Sequence, residues 1–482
     1  MLCGVGISTI VQLEINLQIS ILAGVYTNDK ADFRSSFPVN LCPVAQDQGI
    51  SSGYLRPADG IIQNGTGPGI NRGGINWNDV LYRVMDQDFV SIAEDGTVTT
   101  IGTVTGQGRV SMFYGFDYLA IVSNTGAWLY DGSVLTQITD PDLGQVKDGI
   151  WIDGYFMFID DEFIIITELA NPFAIDPLKY GSSEADPDPL KAIVKIRNEP
   201  YVINRYTTEV FDNIGTTGFP FQRIEGAQIM KGTLSPTTAC KYLDNVAMIG
   251  GGFNEAPSVL LAANGQAAKI ATRVVDLILQ SYTEADLATS LLEVRTDRDQ
   301  EWLVMHLPDK TLVYDARTSQ QLGSPVWFYL ASSLTHTGLW RASDLVYCYN
   351  RWNVADTESP AIGYLTDTVS THWGQQVGWE FGTTLLYNEG RGAIIHELEL
   401  VALTGRQALG AKPVISTEYT KDGVSWSSPK NISAGKQGER QKRLVWYQQG
   451  NMRHWRAQRF RGTSDAFLSF ARLEARIEPL NF

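Results

Sequence analysis

Between residues 80 and 366 the chain is a succession of short apolar clusters cut by Gly, Asp and Asn, with almost no 3.6-residue periodicity. Residues 80–84 are followed by 89–92, an Asp95-Gly96 turn and 98–101, a three-stranded meander in its own right. The next cluster repeats it: 109–113, 118–122, a turn at Asn124-Thr125-Gly126, then 127–130, Asp131-Gly132 and 134–138. Further clusters lie at 149–167, 192–221, 239–270, 291–330 and 337–366, at spacings of roughly 30 to 55 residues, which is what four-stranded propeller blades with insertions need. A unit this small cannot bury its apolar strands alone, so the units must stack. The pattern excludes a helical bundle and predicts an all-β chain.

The fold expected is an irregular β-propeller of six or seven blades over 76–370, preceded by an extended strand segment, 1–75, that links it to a platform. A stack of β-sandwiches is the structural alternative, since no strict blade motif recurs. One helical insertion at 272–290 interrupts the strands. Val274, Val275, Ile278 and Leu279 share one helical face, and Thr283 with Asp286 has the spacing of a capping box. This reads as a connector between blades, or as a helix shown to a neighbouring subunit. From about 371 the runs lengthen and alternate, as in His396-Glu397-Leu398-Glu399-Leu400-Val401 and Val414-Ile415-Ser416-Thr417-Glu418-Tyr419, with an Asp422-Gly423 turn. Residues 371–482 are therefore predicted to be a basic, antiparallel β-sandwich.

The apolar start of the chain, Met1 to Tyr26, has no Lys or Arg, carries Glu14 and lacks the unbroken run of about 18 apolar residues that a membrane span needs. A buried strand pair is expected there. Cys3, Cys42, Cys240 and Cys348 have no paired spacing and read as free thiols of a reducing cytoplasm.

The net charge of −15 argues against a general nucleic-acid binder, but it is unevenly spread. Between 430 and 476 stand eleven Lys and Arg against Glu439, Asp465 and Glu474. Within that stretch Arg440, Lys442, Arg443, Arg453, Arg456, Arg459 and Arg461 are interleaved with Trp446, Tyr447, Trp455 and Phe460. Guanidinium groups so placed can pair with phosphate or with a partner's carboxylates. Strand alternation sets Arg453 with Trp455 on one face and Arg456 on the other. Against an acidic body, the reading preferred is complementary charge steering subunit against subunit, or against the next ring of an assembly.

No catalytic or cofactor pattern accompanies it. His306, His336, His372, His396 and His454 are too scattered to make a metal set. Gly65 to Gly69 and Gly250-Gly251-Gly252 lack the strand, lysine and helix context of a phosphate loop. Asp160-Asp161-Glu162 and the Asp186 to Pro189 run have no calcium-loop spacing. Thr420 to Trp426 resembles a sialidase Asp box but is one residue short, and no carboxylate pair for glycoside hydrolysis is assignable. Neither an enzyme nor a metal or cofactor site is expected.

The run Ser281-Tyr282-Thr283-Glu284-Ala285-Asp286-Leu287-Ala288 is followed, after Glu293, by Trp302-Leu303-Val304-Met305-His306-Leu307-Pro308 and Leu312-Val313-Tyr314-Asp315-Ala316. Together with Pro38-Val39-Asn40, Ser51-Ser52-Gly53-Tyr54-Leu55-Arg56 and Gly108-Arg109-Val110-Ser111-Met112, it resembles the tail-hub proteins of short-tailed bacteriophages, also called tail-nozzle or packaged-DNA-stabilisation proteins. Lys442-Arg443-Leu444-Val445-Trp446 followed by Gly450-Asn451-Met452-Arg453 is similar to the family's C-terminal pattern, whereas the apolar stretch from Met1 to Ala23 departs from it. The resemblance implies a virion tail protein assembled in the host cytoplasm. It would form a hexameric ring below the portal and head-to-tail adaptor, continue the DNA channel with transient, non-specific contact to double-stranded DNA, and seat a plug, needle, fibres or spikes. The competing readings are a propeller that binds carbohydrate or a receptor at a surface, and a scaffold for protein partners.

Overall fold

The structure, a computed structural model, describes residues 15–22, 24–27, 33–46, 49–169, 171–184, 186–297, 300–335 and 338–480. Two compact units divide it: residues 59–333 with 337–375, and residues 1–58 with 334–336 and 376–482. Along the sequence, the first unit is thus an insertion into the second.

Among the described residues the inserted unit is a propeller of seven blades. Six blades are continuous meanders, at 71–103, 111–137, 148–182, 190–223, 232–269 and 291–330. The seventh combines Ala342–Cys348, Arg351–Asp356 and Ala361–Thr366 with an outer strand from far upstream, Gly60–Thr66. The inner strands Asn71–Trp77, Ser111–Tyr114, Asp148–Ile152, Leu190–Ile196, Ala239–Tyr242, Leu291–Asp297 and Ala342–Cys348 each lie against the next, and the last returns to the first. Closure therefore rests on a strand added across the seam. That strand is also held by residues 369–375: Gly60 N–H donates to the Val369 carbonyl at 3.0 Å and Ile61 N–H to Thr371 at 2.9 Å.

Residues 60–75, expected in the N-terminal segment, are instead blade strands, because only a distant strand can supply the edge that the last meander lacks. Apolar cores fill the gaps between neighbouring blades rather than a single centre. Leu81, Met85, Val90 and Ile92 of the first blade meet Val346, Cys348 and Ile362 of the seventh, and Ala120, Val122 and Leu129 of the second meet Phe156, Phe158 and Ile165 of the third. This is how units with two apolar faces bury both.

The helical insertion forms as Arg273–Leu279 and Glu284–Leu287. The capping box is present: the Thr283 hydroxyl accepts from Asp286 N–H at 3.2 Å, and the Asp286 carboxylate accepts from Thr283 N–H at 3.2 Å. Glu284 pairs with Arg205 at 2.7 Å and Leu287 is buried, so the short helix is a connector tied to the fourth blade. A further helix, Ala316–Leu322, follows Thr311–Asp315 and lies outside the single insertion expected. Asp315 caps it by accepting from Thr318 N–H at 3.1 Å, and Gly323 ends it at φ +68°.

The second unit is a sandwich. One sheet runs Leu41–Ala45, Gly53–Pro57, Ser469–Pro479, Ala393–Leu403, Leu444–Met452, with Ile15–Ile19 added beside Ser469–Pro479. The other runs Gly378–Gly382, Trp455–Thr463, Val414–Thr420, Lys430–Ser433, with Leu386–Tyr387 beside Trp455–Thr463. Residues from the start of the chain are therefore built into the C-terminal sandwich. The expected buried N-terminal strand pair lies largely outside the described residues; among those described, Ile15–Ile19 pairs with Ser469–Pro479 and Gly24–Thr27 with Phe33–Ser36. Ile15 and Leu17 are exposed while Ile19 and Ile21 are buried, and Met1 to Glu14, with Cys3, lie outside the described residues. Between the sheets Trp379, Phe381, Phe460, Phe470 and Trp446 stack, with Trp379 and Phe470 centroids 4.9 Å apart and Phe381 and Phe460 5.1 Å apart. Among the described residues no helix is long and apolar enough to cross a membrane.

Candidate functional site

Of the basic residues singled out from the sequence, four are already engaged by other groups of the same sandwich. Arg443 forks onto Glu399, with Nε donating to Oε1 at 2.7 Å. Arg459 donates to Glu418 at 2.7 Å and covers the Trp426 ring at 3.8 Å, and Arg461 donates to Glu380 at 2.6 Å. Arg456 is fully buried. Its Nη1 donates to the Gln449 carbonyl at 2.6 Å, its Nε and Nη2 to Gln458 Oε1 at 3.1 and 2.9 Å, and its plane lies 3.7 Å from the Tyr419 ring centroid. Burial pulls its guanidinium down to about 10.

The seven residues thus differ in their surroundings. Arg456 faces the core because the Trp455–Thr463 strand turns it onto Tyr419, and Arg453 sits in the turn before that strand rather than on a strand face. Arg440, Lys442 and Arg453 are exposed and have no side-chain hydrogen bond or ion pair among the described residues. The basic end is also partly neutralised by carboxylates that other strands bring in: Glu380, Glu399 and Glu418 as above, and Glu397 at 3.3 Å from Arg476. Of the chain's 38 Lys and Arg and 53 Asp and Glu, the propeller unit holds 20 and 39 and the sandwich unit 18 and 14. The net −15 therefore divides into −19 on the propeller and +4 on the sandwich.

On the propeller a polar network lines a cavity of about 690 Å³ among the inner strands. Asp344 pairs with Arg109, and its Oδ2 accepts from Asn71 at 2.5 Å, while its backbone carbonyl accepts from fully buried Arg83 at 2.9 Å. Glu293 accepts from the N–H groups of Asp344 and Leu345 at 2.9 and 2.5 Å and stands 3.0 Å from His306 Nε2. Opposite, Asp148 accepts from the Ser111 hydroxyl at 2.6 Å and from Ile193 N–H at 3.0 Å, and burial pushes its carboxyl up to about 6. Each carboxylate joins inner strands of different blades. The Gly108 to Met112 stretch marked in the sequence is central to this: the Gly108 carbonyl accepts from Arg72 at 2.6 Å, Arg109 reaches Asp344, and Ser111 reaches Asp148. These residues brace the ring, a role the sequence motif alone did not reveal.

The other marked residues are structural in their surroundings. His372 is buried with Ser332 Oγ 2.9 Å from its Nδ1, His396 lies 2.9 Å from Glu478, His454 is exposed, and His336 lies outside the described residues. Cys42, Cys240 and Cys348 are free thiols, and burial pushes that of Cys240 up to about 12. A Cβ on Gly250 would meet the Gly232 carbonyl at 1.9 Å, so this glycine serves close strand packing. Asp422 folds its carboxylate into its own turn, accepting from Val424 and Ser425 N–H at 2.9 and 2.8 Å.

Comparison with known proteins places both units. The family described as Bacteriophage P22 Gp10, beta-propeller matches residues 17–370, and that described as Bacteriophage P22 Gp10, beta-sandwich matches 378–478. The chain is 28% identical over 444 residues to the tail hub protein gp10 of Salmonella phage P22, covering 88% of this chain and 91% of that one. Among solved structures, the Neurospora crassa Pan2 WD40 domain has a TM-score of 0.41 at 10% identity, covering 64% of this chain and 96% of that one. PorZ of Porphyromonas gingivalis has a TM-score of 0.39 at 9% identity, covering 77% of this chain and 46% of that one.

Proposed function

Because this chain belongs to the P22 Gp10 family of short-tailed-phage tail hub proteins through both its propeller and its sandwich, we propose that it forms a hexameric ring below the head-to-tail adaptor. There it continues the DNA channel, helps retain packaged DNA until ejection, and seats the needle or plug and the fibres or spikes. The likeness to P22 gp10 along nearly the full length of both chains carries this reading. Its role is structural rather than catalytic, and it is exerted in the virion tail after assembly in the host cytoplasm.

Physical chemistry supports parts of the picture. The cavity among the inner strands of a single propeller, about 690 Å³ and lined by the Arg109 to Asp344 pair, is far too small for a duplex. A channel for DNA in such a ring lies on the rotation axis between copies. A propeller carrying −19 repels phosphate, so DNA in contact with it slides without sticking. Exposed Arg440, Lys442 and Arg453 supply positive charge on the sandwich for contacts with neighbouring copies or with the next ring. The reading is tested with particles assembled in the absence of this chain: heads are expected to package DNA and then lose it, and heads that keep their genomes would overturn it.

A further inference from the structure

Where Leu444–Met452 turns into Trp455–Thr463, two cations lie over one aromatic ring and a third, Arg453, stands in the turn, with no carboxylate paired to any of them among the described residues. Arg456 lies flat on one side, 3.7 Å from the Tyr419 centroid, and the Lys421 ammonium is 5.5 Å from the same centroid. Lys421 is exposed and donates only to Asn451 Oδ1, at 2.9 Å. Arg453, in the turn itself, is exposed and unpaired. Burial, then the nearby Arg456 and Arg453 charges, hold the Lys421 ammonium below its ordinary range. The neighbouring Asp422 offers no relief, since its carboxylate is taken up by Thr420, Val424 and Ser425.

Five other arginines of the same sandwich are paired, whereas Arg440 and Lys442 are exposed singly. Arg443, Arg459, Arg461, Arg472 and Arg476 each stand beside a glutamate. Like charges held together without an anion lower stability, and such clusters mark places where a partner supplies the opposite charge. The chain's own excess of acid lies on its propeller, with 39 Asp and Glu against 20 Lys and Arg.

We propose that Lys421 and Arg453, backed through Tyr419 by buried Arg456, form a docking site for carboxylates on the propeller of a second copy of this chain. The inference rests on the ring reading above and gives it a contact. Sandwich on propeller is a heterologous pairing, the kind that repeats around an axis and closes into a ring. Arg456 is a positioning residue here: it is sealed from solvent and acts by fixing the Tyr419 ring under Lys421.

The test compares the full-length protein with Lys421→Glu/Arg453→Glu and Lys421→Gln/Arg453→Gln by sedimentation at low and high NaCl, with near-ultraviolet circular dichroism to verify folding. Wild type is expected to assemble and to weaken as salt rises. The Glu pair should weaken association at least ~ten-fold while folded, and the Gln pair by less. A ring that survives the Glu pair overturns the docking site and leaves the hub reading intact. Survival with lost retention on a double-stranded DNA column also overturns it, reassigning the cluster to phosphate. A wild-type chain that stays monomeric at every concentration and salt removes the ring reading, and the docking site with it.

Discussion

Arg83 shows what the propeller requires of single side chains. A guanidinium with no exposure is tolerable only with fixed partners, and it has the Asp344 carbonyl at 2.9 Å, Asn71 Oδ1 at 3.3 Å and the Asp344 charge, itself shared with Arg109. Truncating Asp344→Ala strands two cations, and an equilibrium urea unfolding experiment should show a loss of about 3–5 kcal/mol. A change below about 1 kcal/mol would contradict the bracing role. His372 gives a pH signature. Burial alone lowers its imidazole to about 4, so the folded protein refuses a proton that the unfolded chain accepts below its ordinary value of 6.5. Its contribution is complete above pH 6.5, declines as the pH falls from 6.5 to about 4, and then levels off. The loss is on the order of 3 kcal/mol, and His372→Gln should flatten that part of the stability profile. An unchanged profile in the variant would show that His372 is not the sensor. At this scale the sequence was a poor guide. Arg443, Arg459 and Arg461 stood out as free cations because their partners, Glu399, Glu418 and Glu380, lie on strands far away in the chain.

Elements were more legible, for a physical reason. A blade is a local meander whose turns and alternation are written within a few dozen residues, so clusters such as 80–101 and 109–138 map onto blades directly. The capping box at Thr283 was legible on the same grounds. Closure was not, because Gly60–Thr66 is a plain extended run until it meets Ala361–Thr366 from the other end of the propeller. Likewise, nothing local in Leu41–Ala45 and Gly53–Pro57 says that they pair into a sheet with Ser469–Pro479. The helix Ala316–Leu322 was missed because only its two end residues, Ala316 and Leu322, are apolar and make no amphipathic stripe, and its cap, Asp315, reads as the end of a strand. If the seam strand closes the ring, Ile62→Pro, opposite Tyr364, should cost about 1 kcal/mol or more and raise amide exchange throughout Ala361–Thr366. Exchange confined to residue 62 would contradict that role.

Along the sequence a propeller unit is inserted into a sandwich unit, the first acidic and the second modestly basic. An insertion whose own seam holds both its ends, as Gly60 and Ile61 do against Val369 and Thr371, is expected to fold without its host. Residues 59–375 expressed alone should unfold in one cooperative transition by circular dichroism, and a fragment lacking near-ultraviolet signal would contradict this. The central claim is that copies of this chain close into a tail ring, and the mass of the purified full-length assembly tests it most directly. Six copies of 53.3 kDa predict a closed species of about 320 kDa. A single species at the mass of one chain, unchanged with concentration and salt, would contradict the account.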